Sequence, residues 1–255
     1  MATYNITSQQ LKGKGILNSF EIVGSGAFLN TKSVNFDGTN DYVDLGNPTE
    51  LQFTTSFSIS LWFKSSDTSD YILISKDKTN GHLTNDRSWA LWGNRFGGTN
   101  VIIFNIRKGS SGFSVIGTTD HNDGNWHHVV ATFEASTAMK LYVDGNLEAT
   151  NTTSIPADIN DVGTNVNIGR AANSFYYMNG NIDEIGLFNG VLSASNVTTI
   201  YNSGSPNDLA SLSPIAWYRM GDGDTFPTLT DNGSGGNNGT MTNMVSGDIE
   251  EDVPS

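Results

Sequence analysis

Apolar and polar residues alternate along most of this chain in short runs, which is the pattern of β-strands with one buried face. The clearest run is F-S-I-S-L-W-F-K at 57–64, where the odd-numbered positions are apolar and the even-numbered positions carry Ser58, Ser60, Trp62 and Lys64. Similar runs predict further strands at 20–23, 71–75, 88–92, 101–107, 113–117, 126–133, 139–143, 146–150, 166–169, 182–188 and 215–220.

Turn residues between these runs indicate how the strands connect. Asp144-Gly145 separates 139–143 from 146–150, and Asp-Gly between alternating segments is typical of a type I′ hairpin turn. The stretch S-V-N-F-D-G-T-N-D-Y-V-D-L-G at 33–46 has one strand running in and one running out. Its centre, Asp37 to Asp41, is interpreted either as a hairpin tip with solvated carboxylates or as an oxygen-rich loop that suits a hard cation.

One helix is predicted near residues 193–203. Ser193 caps it, Val197, Ile200 and Tyr201 share a face, and Gly204 stops it. About a dozen strands at spacings near ten residues, with a single helix, predict an all-β fold made of two antiparallel sheets packed as a sandwich.

Composition narrows the choice of partners. The 255 residues include 28 Gly, only 15% are charged, and the formal net charge is −13. Nucleic acid and anionic lipid both require a basic surface, so we expect neither as a partner. The chain has no cysteine, no run of 18 apolar residues and no apolar stretch typical of a signal peptide, which predicts no disulfides, no membrane insertion and no Sec signal.

Five segments, taken together, resemble the concanavalin A-like laminin G family in its LamG-like jelly-roll branch. They occur in family order, span roughly residues 30–202, and are F-D-G-T-N-D-Y-V (36–43), F-S-I-S-L-W-F-K (57–64), W-H-H-V-V-A-T-F (126–133), L-Y-V-D-G (141–145) and N-G-N-I-D-E-I-G-L-F-N-G-V-L-S (179–193). The resemblance implies a two-sheet jelly roll, often with a structural Ca²⁺ at its edge, of a kind that mostly binds glycans or proteins and is not usually catalytic.

The order of one family segment differs in this chain. A-W-Y-R-M-G-D-G (216–223) and N-N-G-T-M-T-N (237–243) resemble a stretch that many relatives carry before the F-D-G strand. We therefore divide the chain into an N-terminal segment (1–29), the LamG-like sandwich (30–204), a C-terminal strand and Asn/Gly-rich loop (205–247) and an acidic tail (248–255). The C-terminal segment either completes the same sandwich or pairs with a neighbouring copy.

The resemblance also implies a calcium site. It pairs Asp37 with Asp183 of N-I-D-E, and Asn40 and Asp41 would add oxygen ligands. The alternative is that Asp37 and Asp183 cap turns by accepting backbone N–H bonds.

A glycan-binding face is a second candidate site. If the apolar positions of 57–63, 129–133 and 141–143 face the core, the alternate positions place Trp62, His128 and Tyr142 outward, with Asn105 and Arg107 as further candidates. Aromatic side chains among polar ones suit stacking against sugar rings. The alternative is that a loop or the C-terminal segment covers Trp62 and makes a second small core.

The sequence lacks the motifs of common catalytic sites. The chain has no E-x-D-x-x-E strand, H-E-x-x-H, G-x-S-x-G elbow or P-loop, and glycoside hydrolysis needs two positioned carboxylates. We predict a non-catalytic binding or structural module.

Two functions remain open. The ending Y-R-M-G-D-G…N-G-T-M-T-N is similar to virion-associated proteins of marine tailed phages. That similarity implies a fibre, appendage or capsid-decorating protein, located in the virion or extracellularly, that contacts other virion proteins, copies of itself or surface glycans. The alternative is a free carbohydrate-binding, lectin-like module.

Overall fold

The computed structural model describes residues 28–77, 87–94, 100–172 and 175–255, which form two eight-stranded sheets. Its strands, numbered in chain order, are β1 (Ser33–Asp37), β2 (Tyr42–Asp44), β3 (Phe57–Lys64), β4 (Tyr71–Asp77), β5 (Arg87–Asn94), β6 (Ile103–Lys108), β7 (Ser111–Ile116), β8 (Trp126–Glu134), β9 (Ala138–Val143), β10 (Asn146–Asn151), β11 (Asn167–Ile168), β12 (Asn179–Phe188), β13 (Ala216–Tyr218), β14 (Thr228–Leu229), β15 (Gly239–Thr242) and β16 (Ile249–Glu250). The strand predicted at 20–23 lies outside the described residues.

Both sheets are antiparallel, and together they confirm the predicted all-β jelly-roll sandwich. The first sheet has the order β10-β9-β8-β3-β12-β1-β16, with β13 also pairing with β12. The second sheet has the order β14-β15-β2-β11-β4-β5-β6-β7. None of the helices among the described residues has the length and apolarity that crossing a membrane requires.

The main core lies between the sheets, and strand periodicity supplies it. Phe57, Ile59, Leu61 and Phe63 of β3 are fully buried in it, as the alternation predicts. The Phe57 ring meets that of Phe104, from the second sheet, edge to face at 5.8 Å between centroids. Burying each such side chain contributes roughly 1.5–3 kcal/mol, so this core is the main source of stability.

The stretch 33–46 is not a hairpin, and that interpretation was wrong. β1 pairs with β12 and β16 in the first sheet, whereas β2 pairs with β11 and β15 in the second. Phe36 of β1 and Val43 of β2 are both fully buried in the main core. The loop between the strands therefore crosses from one sheet to the other, because both strands must place their apolar residues in the same interior.

The hairpin predicted around Asp144-Gly145 is confirmed. β8, β9 and β10 pair in succession, and the turn residues Asp144 and Gly145 have φ angles of 47° and 77°. Positive φ at both positions is the requirement of a type I′ turn.

The predicted helix is also present, as α1 (Ala194–Tyr201). The hydroxyl of Ser193 accepts a hydrogen bond from the Asn196 backbone N–H, and the Asn196 side chain accepts one from the Ser193 N–H. A short 3₁₀ turn at Asn202–Gly204 directly follows α1. Three others lie at Thr49–Leu51, Ala210–Leu212 and Ser246–Asp248.

Helix α1 covers the outer face of the first sheet and forms a second core there. Its members come from strands, helix and C-terminal segment, and are Val130, Tyr142, Phe188, Leu192, Val197, Ile200, Leu209 and Trp217. This cluster, called the outer core below, makes the first sheet buried on both faces.

The C-terminal segment adds strands to both sheets of the same chain. β13 pairs with β12, β15 pairs with β2, and β16 pairs with β1. The last residues do not form a free acidic tail: the Asp252 carboxylate accepts hydrogen bonds from Lys64 Nζ at 2.6 Å and Trp126 Nε1 at 2.9 Å.

We expect a chain that ends at Ser205 to lose stability and solubility, because six apolar residues of the main core would be missing: Ala216, Tyr218, Met220, Leu229, Met241 and Met244. A milder change, Tyr218→Ala, should lower the free energy of unfolding by about 3–5 kcal/mol, since this side chain is fully buried. Denaturant unfolding followed by circular dichroism measures both effects.

The control is Phe175→Ala, because that side chain is 47% exposed and its loss should change stability by about 0.5 kcal/mol or less. A truncated chain as stable as the full one would mean that the C-terminal strands do not complete this sandwich.

Candidate functional site

A groove of about 450 Å³ opens on the outer face of the first sheet, beside the outer core. It lies between β3, the start of β8, the β9–β10 turn and the end of α1. The residues that line it are Trp62, Trp126, Asp144, Tyr201, Ser203, Gly204 and Ser255. Three aromatic rings and one side-chain carboxylate therefore surround a space large enough for a small ligand.

The floor of the groove is a stack of rings. Trp62 points outward from β3, lies opposite His128 of β8, and is 2% exposed. The Tyr201 ring stacks on Trp62 at 5.7 Å between centroids with an interplanar angle of 21°. Tyr201 is half-buried, so it is the member of this stack that presents a surface to solvent.

The turn after β9 holds the Tyr201 ring in place. Gly145 has a φ of 77°, and a Cβ atom added there would lie 2.7 Å from Tyr201 Cδ1. Glycine is required at this position on both grounds, because the backbone is left-handed and the ring packs against it.

Trp126 forms the opposite side of the groove. It precedes His128 by two residues and therefore shares the outward face of β8 with it. Its Nε1 donates to Asp252, which also accepts from Lys64 Nζ, so the end of the chain anchors the half-buried indole.

Asp144 supplies the charge of the groove. Its Oδ1 accepts from the His128 backbone N–H at 2.9 Å, and its Oδ2 lies 2.8 Å from His127 Nδ1. Burial acts to raise the pKa of Asp144, but the hydrogen bonds from His127 and His128 outweigh it and lower the pKa below its ordinary value. The carboxylate is thus ionised at neutral pH.

Three of the five side chains predicted to bind glycans lie on this face, but they are not exposed. Trp62, His128 and Tyr142 are 2%, 0% and 5% exposed, because α1 and its flanking segments cover them. Complete burial lowers the pKa of His128 to about 3, so its ring is neutral, and its Nε2 lies 2.9 Å from the Ser60 hydroxyl. The alternative, that Trp62 is covered, describes this part of the sheet, but the ring over Trp62 is Tyr201 of α1 and not a loop or the C-terminal segment.

The other two residues lie elsewhere. Asn105 and Arg107 belong to β6 of the second sheet, where Asn105 Oδ1 lies 3.4 Å from Trp92 Nε1 and Arg107 donates to the Ser110 carbonyl oxygen. They lie far from Trp62 because β6 and β3 belong to different sheets, which the sequence alone does not reveal.

Trp126, Asp144, Tyr201 and Ser203 were not predicted as site residues. The sequence could have indicated Trp126, since it is two residues from His128 in the same predicted strand and therefore lies on the same face. The helix pattern placed Tyr201 beside Val197 and Ile200, but a helical face alone does not reveal the indole against which it packs.

The four residues predicted to bind calcium do not form one donor set. Asp37 lies opposite Asn179 in the β1–β12 register, and Asp183 is four residues further along β12, which corresponds to about 13 Å. Asp37 Oδ1 instead accepts backbone N–H bonds from Thr39 at 2.7 Å and Asn40 at 3.0 Å.

The loop 37–41 is thus closed by its own side chains and by one bond from Asn243. Asp41 Oδ2 accepts from the Asp37 N–H at 3.2 Å, and Asn243 Nδ2 donates to the Asn40 carbonyl oxygen. Burial, and then the nearby charge of Asp37, raise the pKa of Asp41 to about 6. This arrangement matches the turn-capping alternative. Calcium binding stays a prediction, and the separation of Asp37 from Asp183 does not favour it.

Asp183 belongs to a different, deeply buried acidic pair. Its carboxylate accepts from Asn30 Nδ2 at 2.7 Å, and burial, together with the charge of Glu184, raises its pKa well above the usual range. Glu184 accepts from Trp217 Nε1 at 2.6 Å and from Arg219 Nε at 3.1 Å. Burial raises the pKa of Glu184 to about 7 despite these two donors.

This raised pKa predicts a pH dependence of stability. The folded chain holds the Glu184 proton more tightly than the unfolded chain, whose pKa is near the ordinary 4.5. The stabilisation is therefore fully present below about pH 4.5 and is lost as the pH rises to about 7, by an amount on the order of 3 kcal/mol. We expect the melting temperature to fall over this window, and to fall less in Glu184→Gln.

The matched control is Glu251→Gln, because the Glu251 side chain is 85% exposed and should leave the native pH profile unchanged. Parallel profiles for the native chain and Glu184→Gln, measured by calorimetry, would contradict the prediction.

The sequence model of a protein family, the concanavalin A-like lectin/glucanases superfamily, matches residues 37–198 of this chain. No curated protein sequence matches the chain.

Three solved structures are similar in fold. A proposed carbohydrate-binding protein from Bacteroides ovatus ATCC 8483 is 18% identical with a TM-score of 0.65, over 89% of this chain and 62% of that one. A native heptameric SAP-like pentraxin from Limulus polyphemus is 13% identical with a TM-score of 0.52, over 69% of this chain and 84% of that one. Domain 4 of a GH43 extracellular arabinanase from Geobacillus stearothermophilus, solved with arabinotriose, is 19% identical with a TM-score of 0.50, over 65% of this chain and 74% of that one. The chain thus spans about three fifths of the length of the Bacteroides protein.

Proposed function

Because the chain belongs to the concanavalin A-like lectin/glucanases superfamily, we propose that it is a non-catalytic carbohydrate-binding module. The ligand site is the groove between Trp62, Trp126 and Tyr201. The fold alone does not carry this proposal, since many unrelated functions share one fold. The observation that carries it is the aromatic lining of the groove.

Sugar rings suit such a lining. Their C–H faces are apolar and pack against the faces of aromatic rings, while their hydroxyls need hydrogen-bond partners. Trp126 and Tyr201 present half-buried rings on two sides of the groove, and Ser203 and Ser255 add exposed hydroxyl groups. A ligand that lies between the two rings can use both kinds of contact.

Charge indicates which glycans fit. Asp144 lines the groove, and the whole chain carries a formal net charge of −13. Sialylated, sulfated and uronic-acid-rich glycans would be repelled, so neutral oligosaccharides are the proposed ligand class. The arabinotriose complex of the Geobacillus domain makes arabino-oligosaccharides a reasonable first probe, although its likeness to this chain extends to the fold only.

The same groove does not favour hydrolysis. Among the side chains that line it, Asp144 has the one carboxylate, and both of its oxygens already face hydrogen-bond donors or His127. Glycoside hydrolysis requires a second carboxyl group roughly 5–9.5 Å away across the scissile bond. Binding without cleavage is the activity that this arrangement supports.

The test is a glycan array that includes arabinotriose and other neutral oligosaccharides, followed by calorimetric titration of the best ligand. We expect binding by the native chain, and a loss of affinity of about tenfold in Trp126→Ala or Tyr201→Ala, because each removes one stacking ring. Phe175→Ala, which removes an exposed aromatic ring outside the groove, is the matched control and should bind normally.

Trp126→Phe separates stacking from anchoring, since it keeps a ring but cannot donate to Asp252. Retained affinity in this variant would assign the effect to the ring. A native chain that binds nothing on the array, or a Trp126→Ala variant with unchanged affinity, would overturn the proposal.

A structural or adhesive role in a phage virion is the second candidate, favoured by the sequence ending at 218–243 and by the acidic, Lys-poor composition. In that role the chain, as a fibre, appendage or capsid-decorating protein, contacts other virion proteins or its own copies, in the virion or extracellularly. Light scattering distinguishes the two: stable trimers or larger assemblies without glycan binding favour the virion role, and a glycan-binding monomer favours the free module.

A further inference from the structure

Two histidines and three carboxylates converge beside the groove, although they come from separate parts of the chain. His121 lies in the loop before β8, His127 is the second residue of β8, and Asp144 is in the β9–β10 turn. One ligand atom from each of these three residues lies within 4.8 Å of the other two. Among the described residues, no other group of three His, Asp or Glu side chains meets this criterion.

We propose that His121, His127 and Asp144 bind a divalent transition-metal ion, with Zn²⁺ as the ion that their ligand atoms favour. Imidazole nitrogen and carboxylate oxygen are ordinary zinc ligands at about 2.0–2.2 Å, whereas Ca²⁺ and Mg²⁺ prefer oxygen ligands alone. Three protein ligands leave a fourth position for water or for a ligand group.

The distances suit such a site. Ligand atoms around a tetrahedral zinc ion lie about 3.3 Å from one another, as follows from bonds of about 2.0 Å. His127 Nδ1 and Asp144 Oδ2 are already 2.8 Å apart, and the His121 and His127 rings meet edge to face at 4.9 Å between centroids. The His121 ligand atom lies within 4.8 Å of the other two, so it needs to approach by at most about 1.5 Å to complete a tetrahedral set.

Two further carboxylates are placed to orient the histidines. His127 Nε2 lies 3.2 Å from Asp123 Oδ1, and His121 Nε2 lies 3.4 Å from Glu148 Oε2. In zinc sites the ring nitrogen that does not bind metal commonly donates to a carboxylate of this kind. With an ion between Nδ1 and Asp144, His127 would direct its Nε2–H to Asp123.

The carboxylates are themselves held by the backbone, which limits the cost of organising the site. Glu148 Oε1 accepts from the Thr118 and Thr119 N–H groups, each at 2.7 Å, and Asp144 Oδ1 accepts from the His128 N–H. An open cavity of about 420 Å³, lined in part by His121, Asp144 and Glu148, gives an ion access from solvent.

The test is calorimetric titration of untagged, chelator-treated full-length protein with ZnCl₂, and in parallel with CaCl₂. We expect one Zn²⁺ per chain and no comparable response to Ca²⁺. His121→Ala should weaken Zn²⁺ binding by about 100-fold, since it removes a ligand, and Glu148→Gln by about tenfold, since it removes only an orienting group. Co²⁺ should give the visible absorption of a tetrahedral complex in the native chain and lose it in His121→Ala.

His82→Ala is the matched control, because it removes a histidine outside the proposed ligand set and should leave Zn²⁺ binding unchanged. His121→Gln replaces His121→Ala if circular dichroism shows that the alanine variant does not fold. The proposal is overturned if the native chain does not bind Zn²⁺, if both His121 variants bind like the native chain, or if His82→Ala abolishes binding. These readouts require no glycan, so they stand apart from the proposed carbohydrate binding.

Discussion

The pairing of β12 with three other strands is the constraint on which the rest of this sandwich depends. One edge of β12 pairs with β3 along most of its length, while the other edge pairs with β1 and then with β13. Between those two partners the strand is irregular, and Glu184 there has a φ of 46°. Strands from the beginning, middle and end of the chain therefore meet at one element, and the C-terminal segment is part of the fold because β12 needs a partner for its second half.

The same arrangement explains why the first sheet is buried on both faces. β13 brings Trp217 to the outer face, where it joins Val197 and Ile200 of α1 and the outward residues of β8 and β9. Covering this face stabilises the sheet through further apolar burial, but it also hides Trp62, Tyr142 and His128. At the end of α1, where Tyr201 packs on Trp62 and faces Trp126, an aromatic surface remains open. The candidate groove is thus the edge of a second hydrophobic core.

Asp144 connects the two sites inferred on this edge. It lines the aromatic groove, and its Oδ2 contacts His127 within the proposed metal cluster. An ion held there would fix the β9–β10 turn and, through Gly145, the ring of Tyr201. Carbohydrate binding and metal binding are separate proposals, yet Asp144 and Gly145 connect the two sites through direct contacts.

The sequence by itself determined the longer strands, the type I′ turn at Asp144-Gly145, the capped helix after Ser193 and the two-sheet class, because alternation, turn chemistry and capping are local properties. It did not predict the short strands β14, β15 and β16, which are defined by their pairing with distant strands. It also placed Trp62 on the outward face of β3, which strand parity requires. Only the tertiary structure decided that 33–46 crosses between sheets, that Asp37 and Asp183 lie apart, and that Trp62 is covered. Those outcomes depend on strand order and register, which arise from contacts between residues far apart in the chain. For the same reason Trp126, Asp144 and Tyr201 become one groove, and His121 joins His127, only once the sandwich is folded.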